Sequence, residues 1–210
     1  LRAFSTPGFA ARWPVPRLSR PDFAQDVRLR VSTGAPSLDF ATNDADVVIQ
    51  WADQPRPGLL VEPLMASTRY PVISPALKAR ENVTRPEDLL RLTLCYDETD
   101  DAWPQWFDAV GLAGVQLPQG PTFPNCELST TMVEQGQGVS LAYDAVVRGT
   151  LASGRLERLF EAVTLPMAIY SVACLEARSD EPRITAFRQW LRAEAEMEGV
   201  LPQRYRAAAE

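Results

Sequence analysis

The chain has 210 residues, 46% apolar and 23% charged, with 21 basic against 27 acidic side chains and a net charge of −6. That length allows one large or two small domains, and the acidic balance works against a nucleic-acid surface, which needs clustered Lys and Arg. With no histidine, Ser-His-Asp and Cys-His nucleophile systems and His-ligated metals are excluded, and the single lysine, Lys78, is a poor basis for Schiff-base chemistry.

The first segment, "LRAF", reads as a strand running into a Ser5-Thr6-Pro7-Gly8 turn and an apolar, Arg-bearing helix. Pro14 falls inside that helix, where a proline removes a hydrogen bond, so the helix should be short. "VRLRVST" (27–33) alternates and is β-branched, and "ADVVIQW" (45–51) is a continuous apolar run, as in a strand buried on both faces. "GLLVEPLM" (58–65) and "RYPVISP" (69–75) read as two further strands. Lys78 lies in "PALKARE", an exposed helix. "RPEDLLRL" (85–92) has acids in a first helical turn, and strand "TLCYD" (93–97) follows.

The polar stretch "DETDDAW" (97–103) then reads as a crossing between lobes. "WPQWFDAVGL" (103–112) is an amphipathic helix, with Trp103 and Trp106 expected in the core, and "LPQGPTFPN" (117–125) is a Pro-rich loop or edge strand. "CELSTTMVEQGQG" (126–138) is a helix ended by Gly136 and Gly138, "VSLAY" (139–143) a strand and "DAVVRGTLASGRL" (144–156) a helix and turn. "AIYSVACLEA" (168–177) is a long strand and "PRITAFRQWLRAEAEMEG" (182–199) a terminal helix striped by Ile184, Phe187 and Leu191. Residues 200–210 are expected to be loosely held. Strands alternating with helices predict an α/β architecture with parallel sheets.

No apolar run approaches a membrane span, no signal segment opens the chain, and neither GxGxxG nor GxxxxGK[ST] occurs. Cys95, Cys126 and Cys174 are odd in number and lack CxxC spacing, which fits buried thiols in a reducing compartment. The acids Asp97, Glu98, Asp100 and Asp101 lack the glycine-punctuated spacing of a calcium loop and read as a solvated loop. Asp46 and Asp53 flank a strand but show no paired-acid geometry, so no catalytic residue, metal site or cofactor is assigned and an enzyme is not expected.

Ser5 and Thr6 stand where a strand gives way to a helix, with Pro7 suited to the first helical position. Such a turn either seats a carboxylate on free N–H groups and hydroxyls or merely caps its own helix through Thr6. Trp51, at the carboxyl end of its strand, offers a flat apolar wall where ligands sit in open α/β sheets, or packs a lobe. Thr33 and Tyr143 end strands in the same way. Asn125 precedes a helix whose first turn holds Glu127, a competing partner for the helix dipole.

"FAARWPVPRL", "DADVVIQWADQPRPGLLVEPL", "YPVISPAL", "RPEDLLRLTL", "WPQWFDAVGL", "GQGVSL", "LASGRL" and "AFRQWLRAE" follow one another in an order that resembles the effector-binding domain of LysR-type transcriptional regulators, in the glycine-cleavage-activator branch, over about residues 1 to 197. The resemblance implies two Rossmann-like subdomains joined by two crossing strands, the type-2 periplasmic-binding-protein fold, with one subdomain at 1–96 plus 169–210 and the other at 97–168. It implies a ligand-sensing domain without chemistry of its own, binding a small anion such as an amino or organic acid in an interlobe cleft lined by Ser5, Thr6, Thr33, Trp51, Asn125 and Tyr143. It further implies a cytoplasmic homodimer or higher homo-oligomer with no membrane contact, reaching DNA through an N-terminal winged helix-turn-helix absent from this chain. A solute-binding protein of a transporter, with the same fold, is the alternative expectation.

Overall fold

The computed structural model describes residues 1–19, 28–51, 54–97, 102–162 and 164–202. The described chain divides into two units, residues 1–67 with 168–210 and residues 68–167.

In the first unit, β1 (Arg2–Ser5) lies parallel to β2 (Arg30–Thr33) on one side and to β3 (Val47–Trp51) on the other. Strand β9 (Thr164–Leu175) pairs antiparallel with β3, and β4 (Leu59–Ile73) lies next to β9. Val47, Val48, Ile49 and Gln50 are all buried, as a strand covered on both faces requires. One face packs Phe4, Val48 and Ala173 against Phe40 and Ala45. On the other, Phe9 of α1 (Pro7–Arg12) stacks on Tyr170 of β9, with ring centroids 4.1 Å apart. Helix α1 has six residues, and a 3-10 turn at Val15–Arg17 follows Pro14, so the first helix is short as expected. Helix α6 (Pro182–Met197) closes the unit, burying Ile184, Phe187 and Leu191.

The second unit orders its strands β4, β7 (Val139–Tyr143), β5 (Leu94–Asp97) and β6 (Thr122–Phe123), with β8 (Glu157–Arg158) on β4. The pairs β5–β6 and β5–β7 are parallel, whereas β4 runs antiparallel to β7. Its helices are α2 (Pro75–Glu81), α3 (Ala102–Ala109), α4 (Cys126–Glu134) and α5 (Asp144–Ala152). Trp103 and Trp106 are core residues, packed with Phe107, Leu94 and Leu141. Gly136 takes φ +68 just past α4, and a Cβ on Gly138 would lie 2.7 Å from the Thr93 carbonyl oxygen, so one glycine ends the helix and the other admits a neighbouring backbone.

Three expectations change. Residues 58–65 and 69–75 are not two strands but one 15-residue strand, long enough at about 3.3 Å per residue to serve both units. The first division therefore falls within β4, between Ser67 and Thr68, not between residues 96 and 97; the second lies at Met167 and Ala168, one residue from the expected place. The C-terminal stretch is anchored at its start, because Val200 and Leu201 are buried. Asp53, the acids Glu98, Asp100 and Asp101, and residues 203–210 lie outside the described residues. Cys95 and Cys174 are buried and Cys126 half-buried, and no disulfide joins them.

Candidate functional site

In the first unit the predicted residues collect at the carboxyl ends of three adjacent parallel strands. Ser5 stands opposite both Thr33 on β2 and Ile49 on β3, and Trp51 lies two residues further along β3. This is the end of an open α/β sheet at which ligands bind. The four side chains are not equally available. The buried Ser5 hydroxyl donates to the Ile49 carbonyl at 2.9 Å and so ties β1 to β3 instead of facing outward. Thr6 is the N-cap residue of α1, yet its side chain makes no capping bond, although its carbonyl accepts the Ala10 N–H at 3.0 Å. The capping alternative for this hydroxyl is thereby removed. Thr33 is exposed on the edge strand.

Trp51 is 37% exposed and stands opposite Tyr170, with centroids 5.7 Å apart and planes tilted by 55°. Behind it Tyr170, Phe9 and Trp13 form a buried aromatic row. The indole is therefore held in place from inside and is in part exposed to solvent.

Gln50, a residue that sequence reasoning passed over, belongs to the same edge. It is only 5% exposed, and its Oε1 has no hydrogen-bond partner among the described residues. Its position inside an apolar run hid it, since the run signals only a buried strand. A buried acceptor left unpaired costs about 1–3 kcal/mol. Gln50→Met keeps length and removes that cost, so it should stabilise the ligand-free protein by roughly 1–2 kcal/mol in urea titrations. A lowered midpoint would show that the amide is satisfied in solution.

In the second unit Asn125 lies just past the carboxyl end of β6, and Tyr143 is the last residue of β7. Asn125 caps α4, its Oδ1 accepting the N–H groups of Glu127 and Leu128 at 3.2 Å each. Only its amide nitrogen is left for another role. Tyr143 stands opposite Arg69 of β4, whose guanidinium lies 4.8 Å over the phenol ring and donates to its hydroxyl at 3.2 Å. Arg69, also not foreseen, supplies a positive charge beside a predicted site residue; the pairing that brings it there is tertiary.

Asp46, which could have served an enzyme of carboxylates, is otherwise engaged. It is buried between Arg2 and Arg178, each donating to Oδ1 at 3.0 Å, and it also accepts the Arg2 backbone N–H at 2.8 Å. Among the described residues no cluster of acids and cysteines could hold a metal ion, and no helix is long and apolar enough to cross a membrane.

Comparison with known proteins gives this geometry its context. The glycine cleavage system transcriptional activator of Escherichia coli K12 is 33% identical over 194 residues, 91% of this chain. The HTH-type transcriptional regulator TrpI of Pseudomonas aeruginosa is 30% identical over 187 residues, 87% of this chain. The chain spans 64% and 63% of the lengths of these two relatives. Among solved structures, the effector domain of the transcriptional regulator AmpR of P. aeruginosa superposes with a TM-score of 0.79 at 29% identity, covering 94% of this chain and 96% of that one. The shared fold is the periplasmic-binding-protein-like one expected of such domains. The family model described as the LysR substrate binding domain matches residues 1–196. A match across nearly the whole chain, joined to relatives that are transcriptional regulators, makes this chain a member of the LysR substrate-binding domain family, the effector-binding domain of a LysR-type regulator.

Proposed function

We propose that this domain senses a small anionic metabolite, an amino or organic acid, and passes its presence to a DNA-binding segment of the whole regulator. The observation that carries this reading is the Thr6 hydroxyl, which follows β1 at the sheet edge where β3 ends in Trp51 and makes no capping bond to its own helix. In the second unit, taken by itself, the Asn125 amide nitrogen at the start of α4 is not used in capping that helix and offers a further donor. Regulation requires that the acid bind one conformation better than another; binding alone shifts nothing. The domain performs no chemistry and acts in the cytoplasm. The family match favours this reading over a transporter's solute-binding protein. A homodimer is part of the proposal, supported by the exposed edge strand β2 with Val31 on its surface and by exposed Val15.

A thermal-shift panel of amino acids and dicarboxylates, followed by titration of the best hit, tests the reading through Thr6→Val. This change keeps the side-chain shape and removes the hydroxyl. A hydrogen bond to a charged acceptor contributes about 1.5–3 kcal/mol, so affinity should fall roughly tenfold or more. The ligand-free melting temperature should not move, because no cap is lost. Unchanged affinity would exclude Thr6 from the site.

A further inference from the structure

Along α6, Thr185, Arg188, Gln189 and Arg192 are spaced i, i+3, i+4 and i+7 and share one face, beside the buried stripe of Ile184, Phe187 and Leu191. A helix face turned toward a sheet is ordinarily apolar; this one is polar and charged. Between it and the strands β4 and β9 lies a cavity of about 300 Å³ with Leu64, Pro63 and Val172 in its wall. That volume is at the lower end of small-molecule sites.

The charges in the wall are unequally matched. Arg188 and Glu62 form a two-pronged ion pair, with the second bond at 2.7 Å, and the remaining Arg188 nitrogen donates to the Ser179 carbonyl at 3.0 Å. That pair is complete. Arg192 is a second cation, half exposed; its Nε donates to Glu196 at 2.9 Å, while its two terminal nitrogens have no partner among the described residues. Gln189 stands next to it on the same face and adds an amide donor.

We propose that this cavity is a second small-molecule site, taking a branched aliphatic monocarboxylate. The carboxylate lies against the open edge of Arg192 and the Gln189 amide, and the hydrocarbon rests on Leu64 and Val172. One open guanidinium edge matches one carboxylate, and the volume limits the ligand to a short chain. The site lies within the first unit and shares no residue with the strand edge around Thr6 and Trp51, so it stands independently of the function proposed above.

The test uses 4-methylpentanoate as probe and the methyl resonances of Leu64 and Val172 as readout, with the neutral 4-methylpentanamide for comparison. The acid should shift both methyl signals saturably, and the amide should bind roughly tenfold or more weakly, as expected for loss of a charge-assisted pair. Arg192→Gln, at a half-exposed position that the fold tolerates, should weaken the acid by a similar factor, whereas Thr6→Val should leave it unchanged. The proposal is overturned if the methyl signals stay fixed at millimolar acid, if acid and amide bind alike, or if Arg192→Gln has no effect. Loss of the shifts in Thr6→Val would also overturn it, since that result places the acid at the strand edge.

Discussion

Replacing Asp46 by Ala should destabilise the protein by about 3–4 kcal/mol, lowering the melting temperature by roughly 10 °C. The carboxylate joins β1, the turn before β3 and the 3-10 turn at Glu176–Arg178, and Arg178 in turn grips Glu181 at the start of α6. Removing one partner of a buried ion pair typically costs about 3–5 kcal/mol. The lower part of that range applies here, because Arg2 and Arg178 both reach solvent and would be rehydrated. Burial by itself would raise the Asp46 pKa, but hydrogen bonds from the Arg2 side chain and backbone and from Arg178 outweigh it and hold the carboxyl well below the usual carboxylate range. A depressed pKa contributes stability that is complete above the unfolded value, about pH 4, and is lost as pH falls through the folded one. Urea titrations of wild type and Asp46→Asn should therefore differ most at neutral pH and converge on acidification below about pH 4. A constant gap down to strongly acidic pH would show that the ion pair does not contribute through its charge.

Gly120→Ala should cost roughly 3 kcal/mol or more, through shape alone. A Cβ at this position would lie 1.8 Å from the carbonyl oxygen of Leu94 and 2.9 Å from its carbonyl carbon. Both atoms are backbone of β5, so no rotamer change can make room. The loop would have to lift, breaking the bond from the Tyr96 N–H to the Pro121 carbonyl, 3.0 Å, and loosening β6, which leads directly into Asn125. Gly149→Ala in α5 is the matched control: nothing lies within 4 Å of its added methyl, and alanine in a helix interior should stabilise by about 0.5–1 kcal/mol. Opposite signs in the two melting temperatures are the expected result, and a neutral Gly120→Ala would refute the close approach.

What the sequence made legible was local. The apolar run at 45–51, the stripe of the last helix and the glycines after α4 each carry their own physical signal, and each appears where expected. The strand ends then placed Ser5, Thr33 and Trp51 on one edge, because parallel strands bring like ends together. What was lost depends on contacts between distant segments. Residues 58–65 and 69–75 read as separate strands, but β4 runs straight through the residues between them, so the division between units was sought at an acidic loop instead. The use of the Ser5 hydroxyl on Ile49, the guanidinium of Arg69 over Tyr143 and the unpaired oxygen of Gln50 follow from strand register, which no stretch of sequence displays.

The five tryptophans differ in a way that favours optical work. Trp13, Trp103, Trp106 and Trp190 are buried, and only Trp51 meets solvent. An aqueous quencher such as iodide will therefore extinguish a single emitter, the one at the candidate site. Whatever settles on that indole shields it, so the domain carries its own fluorescent reporter of occupancy and needs no label.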